Sequence, residues 1–551
     1  MIRSRFVAFA LLAAAGPLVA GCDVSTDGLD EETGDEQVNL ESMLSVAGRA
    51  DITHGTQPYQ APAGAPLDER EERLFVAFLS GGQEVPAVAT RAEGAMALYL
   101  NRHQNRLRFV LQHQVADATL AHLHLGSAGE NGPVAIALPR ADRASAGVVP
   151  VTAEQVAALM AGRLYVNVHS PGHPMGEIRG QILRPGETVF VASLRGSEEV
   201  PAVSSTASGL ASLILAANRD QVRYRITSTG IAPTLAHLHR GIAGTNGPVA
   251  HPLTAGAGIV EGSFPIAATD LEDLSLRRFY VNLHSAANPK GELRGQVVRP
   301  GEVVFAANLT PGQEVPPVTS ESTANAMVVL GSAGAKFLYV LTTTATPTLA
   351  HIHRAPGGSN GPVEVPLEPV GQAMSGIRDL GPARRADIER GLWYFNIHTA
   401  ANPKGELRGQ VLRPGETLFV ATVAGSNEVP PTTSAATGAV ALILDAPRTN
   451  VRYDGGLTGA VPTLAHVHAA PAGMNGPVLF PLALTGAGVS GDQTLTPAQV
   501  ATLEAAGLYV NFHSAAFPMG EVRGQLLAPG ATAAAPVMPA APAAPAEPHV
   551  H

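Results

Sequence analysis

One sequence unit occurs four times in this chain, and that repetition limits the folds that the protein can adopt. The string Ala-His-x-His begins at Ala121, Ala236, Ala350 and Ala465. Successive copies are 115, 114 and 115 residues apart, and a second string, Asn-x-His-Ser/Thr, always places its histidine 47 residues after the first histidine. A unit of about 115 residues can bury its own hydrophobic core, whereas solenoid repeats of roughly 20 to 45 residues depend on their neighbours. We therefore expect four domains in tandem.

Three more strings recur in the same phase and show where each unit begins and ends. Glu-Val-Pro lies near the start of every unit, Asn-Gly-Pro-Val follows the first histidine pair, and Gly-Glu-x-Arg-Gly-Gln lies near the end. The first three units run directly into the next, so the linkers are only a few residues long. We place the four repeats at residues 72–184, 185–299, 300–413 and 414–529, arranged like beads on a stiff string.

Within a unit, short segments alternate between apolar and polar residues and are bounded by Gly, Pro or Asn, which is typical of β-strands. In the first repeat we predict strands at residues 74–79, 95–100, 106–111, 120–125, 134–138, 164–169 and 177–183. One short helix is expected from Thr152 to Met160, with Thr152 as N-cap and Gln155 completing a capping box. The predicted fold class is all-β, with four tandem Greek-key-like β-sandwich or barrel domains that each carry one short helix.

The N-terminal segment has the pattern of a bacterial lipoprotein signal. Two arginines precede an apolar run from Phe6 to Ala15, which is too short to span a bilayer, and small residues lead up to Cys22. The segment Val19–Cys22 resembles a lipobox, whose cysteine is acylated and becomes the mature N-terminus. We therefore expect residues 1–22 to be a signal peptide. The protein is expected to be exported and anchored by lipid to the cell envelope, on its periplasmic or surface face.

The segments that flank the repeats are predicted to be disordered. Residues 23–71 form an acidic tether, since thirteen Asp and Glu oppose two Arg between Asp23 and Glu72. The whole chain has a formal net charge of −10, so the repeats are close to neutral and nucleic acid is not an expected partner. Residues 530–551 are rich in Ala and Pro and are predicted to form a flexible tail.

Three histidines of each unit are the candidate functional residues. Side chains two apart in a strand share a face, so His122 and His124 lie side by side. If the strand of His169 is their neighbour, three imidazoles converge, and such a site with an open position suits copper or zinc. The alternative is a hydrogen-bonded network in which the histidines only hold loops in place. The candidate ligands are His122, His124, His169, His237, His239, His284, His351, His353, His398, His466, His468 and His513.

The motifs together resemble the CHRD domain family, which is named after chordin. The resemblance rests on Leu-Ser-Gly-Gly-Gln-Glu-Val-Pro at Leu79, Ala-His-Leu-His, Asn-Gly-Pro-Val, Tyr-Val-Asn-Val-His and Gly-Glu-Ile-Arg-Gly-Gln at Gly176. It covers roughly residues 72 to 529. The resemblance implies an extracytoplasmic domain, and the family carries no established bacterial activity.

The order of motifs is also similar to that of copper-zinc superoxide dismutase, with His-x-His on one strand, a histidine on a later strand and an arginine on the closing strand. This resemblance implies that His122, His124 and His169 hold copper and that Arg179 steers an anion, with the corresponding residues in the other three units. The chain departs from that pattern because it shows no zinc-loop ligands and no cysteines for a disulfide.

Two hypotheses for the function follow. The first is a non-enzymatic, membrane-tethered binding or scaffold protein, because four tandem copies of one surface raise the avidity for an extracytoplasmic protein or ligand. The second is a copper- or zinc-binding protein with one three-histidine site per repeat and dismutase-like chemistry as an extension. A non-enzymatic role is favoured, since tandem identical sites serve binding more directly than catalysis.

Overall fold

The computed structural model describes residues 73–138, 143–331, 335–368 and 372–531. The predicted signal peptide and tether, with Cys22, lie outside these residues, as does most of the predicted tail. The described ranges are built mainly from antiparallel strands, and none of their helices is long and apolar enough to cross a membrane.

The helices and strands follow the same order in each repeat. The first repeat contains β1 (Arg73–Ser80), β2 (Glu93–Leu100), β3 (Arg106–His113), β4 (Leu120–Leu125), β5 (Val134–Leu138), β6 (Ala144–Pro150), α1 (Ala153–Met160), β7 (Leu164–His169) and β8 (Ile178–Gln181). The second contains β9 (Thr188–Arg195), β10 (Ser208–Leu215), β11 (Gln221–Thr229), β12 (Leu235–Arg240), β13 (Val249–Leu253), β14 (Ile259–Pro265), α2 (Ala268–Ser275), β15 (Phe279–His284) and β16 (Leu293–Gln296). The third contains β17 (Val303–Leu309), β18 (Ala324–Leu330), β19 (Lys336–Thr343), β20 (Pro347–Arg354), β21 (Val363–Leu367), β22 (Ala373–Asp379), α3 (Pro382–Arg390), β23 (Trp393–Thr399) and β24 (Leu407–Gln410). The fourth contains β25 (Thr417–Ala424), β26 (Thr437–Leu444), β27 (Asn450–Thr458), β28 (Leu464–Ala469), β29 (Val478–Pro481), β30 (Leu484–Thr485), β31 (Gly488–Thr494), α4 (Pro497–Glu504), β32 (Leu508–His513) and β33 (Val522–Gln525).

Each repeat forms a curled antiparallel sheet with Greek-key connections. In the first repeat the strand order is β5-β4-β7-β8-β1-β2-β3-β6, so β1 to β3 form a meander and the later strands cross over to both edges. The second repeat has the same order, and the fourth adds the two-residue strand β30 at one edge. In the third, two four-stranded sheets are joined by single bridges such as Ala306–Leu412. The predicted all-β, Greek-key-like fold in four tandem copies is confirmed.

All seven strands predicted for the first repeat are present, and an eighth, β6, was not predicted. β6 pairs with β3 along its length. Its sequence is Ala-Ser-Ala-Gly-Val-Val-Pro, whose two valines are adjacent and do not alternate with polar residues, and it lies at an edge of the sheet. The helix α1 begins after Thr152, whose hydroxyl accepts from the Gln155 backbone N–H in the predicted capping box.

Every repeat has its own hydrophobic core. Along β1 the alternate residues Phe75, Ala77 and Leu79 point inward and are almost completely buried. They pack with inward residues of the other strands and of the helix, and an equivalent cluster exists in each of the four repeats. Because a fully buried Leu or Phe contributes about 1.5–3 kcal/mol, each repeat has a large source of stability within itself.

Neighbouring repeats are also in contact through small apolar clusters. Ala128 of the first repeat packs with Val189 and Ile214 of the second. A similar cluster joins Ile242 of the second repeat to Met327 of the third. Another joins the third repeat to the fourth. These contacts lie beside the short linkers, and the stiffness of the array stays a prediction.

Candidate metal centre

The three histidines of the first repeat meet on the outer face of its sheet. Strands β4 and β7 are antiparallel neighbours, with Leu120 opposite His169. Leu123 points into the core, so His122 and His124 point outward. The ring centroid of His122 lies 5.6 Å from that of His124 and 5.1 Å from that of His169. One nitrogen of each ring lies within 4.8 Å of the others, as a shared ligand requires.

Backbone carbonyls orient two of the three imidazoles. The Nδ1 of His124 lies 3.0 Å from the Gly132 carbonyl oxygen, and the Nδ1 of His169 lies 3.1 Å from that of Pro174. A carbonyl oxygen only accepts hydrogen bonds, so both Nδ1 atoms carry the proton and both Nε2 atoms present a lone pair. Burial lowers the pKa of all three imidazoles, which are therefore neutral at pH 7.

The two Nε2 atoms differ in their contacts. The Nε2 of His169 lies 3.2 Å from the Nδ1 of His122. The Nε2 of His124 is buried and has no hydrogen-bond partner among the described residues.

The other three repeats reproduce this arrangement closely. The distance from the first histidine's Nδ1 to the third histidine's Nε2 is 3.1, 3.2 and 3.3 Å in the second, third and fourth repeats. The second histidine donates to a glycine carbonyl in each of them. Within the described part of the chain, its buried Nε2 again lacks a partner, at His239, His353 and His468. All twelve predicted histidines are thus brought together in four triads.

A tyrosine that sequence reasoning missed supports each triad. Tyr165 stacks on His124 with ring centroids 4.9 Å apart and planes 10° from parallel. Its hydroxyl accepts from the Gly132 backbone N–H at 3.2 Å, so it also holds the loop whose carbonyl orients His124. The signal was available, because Tyr165 lies two residues before Asn167 on the same strand face and recurs in every unit. The equivalent stacking residues are Tyr280, Tyr394 and Tyr509.

Arg179 occupies the other face of the tyrosine, and the anion-steering role implied by the dismutase resemblance is wrong. Its guanidinium carbon lies 3.5 Å from the Tyr165 ring centroid. It also donates to the Ser127 carbonyl at 3.0 Å and to the Asn131 side chain at 3.3 Å. Because Arg179 is only 1% exposed, an anion at the histidines cannot reach it, and its role is to support the stack.

A buried carboxyl group lies behind the triad. The Asn167 side chain donates to both carboxyl oxygens of Glu84 at 3.1 Å. Burial raises the pKa of Glu84 to about 7, although the nearby Arg179 and the Asn167 hydrogen bond oppose this change. Glu84 therefore changes its protonation state near neutral pH. Its hydrogen bonds come from Asn167 and not from a histidine of the triad.

Comparison with known proteins identifies the family. No curated protein matches the chain. The profile of the CHRD domain matches residues 75–182, 190–297, 305–411 and 419–526, which together make up more than half of the chain. Each matched segment lies within one predicted repeat and contains one histidine triad. The chain therefore belongs to the CHRD domain family, of which it carries four tandem copies.

Proposed function

We propose that each repeat binds one copper or zinc ion through its three histidines, so that the chain is an array of four metal sites. The observation that carries this proposal is the buried Nε2 of the second histidine, which has no partner among the described residues of any repeat. A buried polar atom left without a hydrogen bond costs roughly 1–3 kcal/mol. The same buried nitrogen lacks a partner in all four repeats of the described chain. A metal ion bound to this nitrogen would supply the missing partner and remove the cost.

The donor set suits such an ion. Metal-binding histidines usually donate their second ring N–H to a backbone carbonyl or carboxylate, which fixes the tautomer and the ring orientation. His124 and His169 have this arrangement. Three imidazoles on an outer face leave a coordination position open to water or another ligand, as in known three-histidine zinc sites, and imidazole also suits copper.

Metal analysis of the purified chain tests the proposal. After loading with Cu(II) or Zn(II) and removal of free ions, we expect about four ions per chain, one for each triad. Replacing the second histidine of all four triads by alanine should reduce this content to below about 0.2 ions per repeat, since two imidazoles bind weakly. The substituted residues are His124, His239, His353 and His468.

His103→Ala is the matched control, because His103 lies exposed in the turn after β2 and belongs to no triad. Its metal content should equal that of the native chain. A native chain that retains fewer than about 0.2 ions per repeat, or equal metal content in the native and four-fold variants, would contradict the proposal.

We also propose that the array is held at the cell envelope by acylation of Cys22. The support is the lipobox-like segment Val19–Cys22, with the only cysteine of the chain at the acylation position. Cys22→Ser should move the protein from the membrane fraction to the soluble envelope fraction and abolish incorporation of a labelled fatty acid. Unchanged fractionation and labelling would count against the anchor.

A second role, as a binding module, is favoured by apolar residues beside each triad. Leu120 and Val134 are each 52% exposed, and Val134 lies opposite His124 in the sheet. The equivalent residues, about half exposed, are Leu235, Val249, Leu349, Val363, Leu464 and Val478. Replacing all eight by serine should abolish retention of an envelope partner that the native array retains; equal retention would contradict this role.

A further inference from the structure

Neighbouring repeats meet through one loop and one sheet face. The loop that follows the His-x-His strand packs on outward side chains of the next repeat, where Ala128 contacts Val189 and Ile214. At the third junction a Cβ added at Gly358 would lie 2.5 Å from the Val420 side chain, so the loop backbone itself is in contact. We call residues 126–130, 241–245, 355–359 and 470–474 the interface loops. The outward side chains of the first three strands of a repeat form its receiving face.

The two ends of the array present the two halves of this interface. The first repeat has no predecessor among the four, and the fourth has no successor. On the first receiving face Leu74 is partly exposed, whereas Val189 and Leu418 are buried at the same position of the second and fourth repeats. In the fourth interface loop Ala472 is partly exposed, whereas its counterpart Ala128 is buried. The array therefore has a receiving face at one end and an interface loop at the other.

The residues at these two ends are more apolar than those at the internal junctions. Phe78 lies on the first receiving face, and Met474 lies half exposed in the fourth interface loop. The other repeats carry polar residues at both positions, which are Ser193, Asn308 and Thr422 in place of Phe78, and Glu130, Thr245 and Ser359 in place of Met474. Repeat arrays that end in solvent carry polar residues on their terminal faces. Apolar residues at both ends are instead what a buried contact requires.

The first junction shows which residue lies opposite the end of the interface loop. There the Oε2 of Glu130 lies 3.9 Å from the Nε of Arg225. The strand registers make Val110 the counterpart of Arg225 in the first repeat, and Met474 is the counterpart of Glu130. A contact of the same geometry between a fourth and a first repeat thus places two apolar side chains where the first junction has an ion pair. It buries no unpaired charge at that position.

We propose that copies of the chain associate head to tail, with the interface loop 470–474 of one copy on the first receiving face of the next. This contact continues the interface that already joins the repeats within one chain. Because the two halves lie at opposite ends, a dimer still presents one loop and one face, and further copies can add. The association does not depend on metal binding.

Crosslinking in intact cell envelopes tests the association in the full chain. The variant with Val110→Cys and Met474→Cys, treated with a short bismaleimide, should give a ladder of species that differ by one chain mass. Each single variant should give no ladder, and both also report any product formed through Cys22. Adding Phe78→Asn, which introduces the residue of the third repeat, should reduce the ladder about tenfold, because burial of a Phe stabilises a contact by at least that factor.

A charge exchange in the purified full chain in detergent provides a second test. Met474→Glu should weaken self-association by at least about tenfold in sedimentation velocity, since its carboxylate would be buried against Val110 without a partner. Val110→Arg in the same chain should restore association by re-creating the ion pair of the first junction. A variant that failed to fold would not be rescued in this way, so absence of rescue would count against the proposed contact.

One other segment of the chain resembles the fourth interface loop. Residues 61–64 have the same sequence, Ala-Pro-Ala-Gly, as residues 470–473. If Ala63→Cys crosslinks to Val110→Cys within one chain while the Val110→Cys, Met474→Cys variant gives no ladder, the N-terminal segment occupies the receiving face. That result would overturn the head-to-tail association. A native chain that sediments as a monomer at every concentration would overturn it as well.

Discussion

Replacing the buried glutamate of every repeat by glutamine should remove the part of the fall in stability between about pH 5 and 8 that these carboxyl groups cause. The substituted residues are Glu84, Glu199, Glu314 and Glu428. Glutamine has the same shape, and its carbonyl oxygen can still accept the hydrogen bond that Asn167 donates to Glu84. The substitution therefore removes the ionisation and keeps one of the two hydrogen bonds that Asn167 donates.

The direction of the effect follows from the raised pKa. Burial raises the pKa of Glu84, Glu199 and Glu314 from the ordinary value of 4.5 to about 7, and it also raises that of Glu428. The folded repeat thus holds this proton more tightly than the unfolded chain. The resulting stabilisation is fully present below about pH 4.5 and is lost as the pH rises through about 7.

The magnitude follows from the same values. Each unit of pKa corresponds to about 1.4 kcal/mol, so the loss reaches roughly 3 kcal/mol in each of the first three repeats well above pH 7. Since 1 kcal/mol moves the melting temperature of a domain of this size by about 4 °C, the full loss amounts to about 12 °C. Thermal unfolding followed by circular dichroism at several pH values should show this fall in the native chain and a smaller one in the four-fold variant, in which Glu198, whose pKa burial also raises to about 7, still titrates.

Glu406→Gln provides a control with the opposite behaviour. Burial opposes ionisation of Glu406, but hydrogen bonds from Ser320 and Thr399 outweigh it and lower its pKa to about 2. Its stabilisation is lost only as the pH falls toward 2, so this variant should melt lower at every pH from about 5 to 8, with an unchanged slope. If the four-fold glutamine variant still loses stability with rising pH as the native chain does, the buried glutamates are not the source of the effect.

Three further substitutions test the support of the site, each by urea denaturation. Arg179→Met should destabilise the first repeat by roughly 1–3 kcal/mol, because the buried Ser127 carbonyl and the Asn131 side chain lose the donor that Arg179 supplies; equal stability of the variant and the native chain contradicts this. Gly176→Ala should cost at least about 1 kcal/mol, since its φ is +131° and the added Cβ would lie 2.5 Å from the Asn167 amide nitrogen; equal stability would refute this steric argument. Thr152→Ala should cost about 1 kcal/mol through loss of the helix cap, and Thr152→Ser should restore it; an equal loss in both would argue against capping.

Much of the fold was predictable because its signals are local. Alternation with period two marked the seven strands of the first repeat, and Thr152 with Gln155 marked the start of the helix. β6 escaped prediction because Ala, Ser and Gly carry little apolar pattern, and its strand conformation is maintained by pairing with β3. Such pairing joins residues far apart in the chain, which local periodicity does not report.

The site was predictable in part for the same reason. Strand periodicity placed His122 and His124 on one face, but the contact with His169 depends on the pairing of β4 with β7. The assignment of Arg179 was wrong because burial depends on the loop that follows β4, whose backbone and side chains cover the guanidinium. The order of motifs along the sequence does not show that this loop buries Arg179.

The sequence by itself determined the four-fold repetition, the strand pattern, the family and the twelve histidines, because these features depend on residue identity and on spacing along one chain. Only the tertiary structure decided that the histidines form four compact triads and that a tyrosine and an arginine stack behind each of them. It also decided that one imidazole nitrogen per repeat is buried with no partner in the described part of the chain. Those properties depend on distances between segments that are far apart in the chain and on burial of side chains by loops. Both arise only when the sheet curls and its loops pack over it.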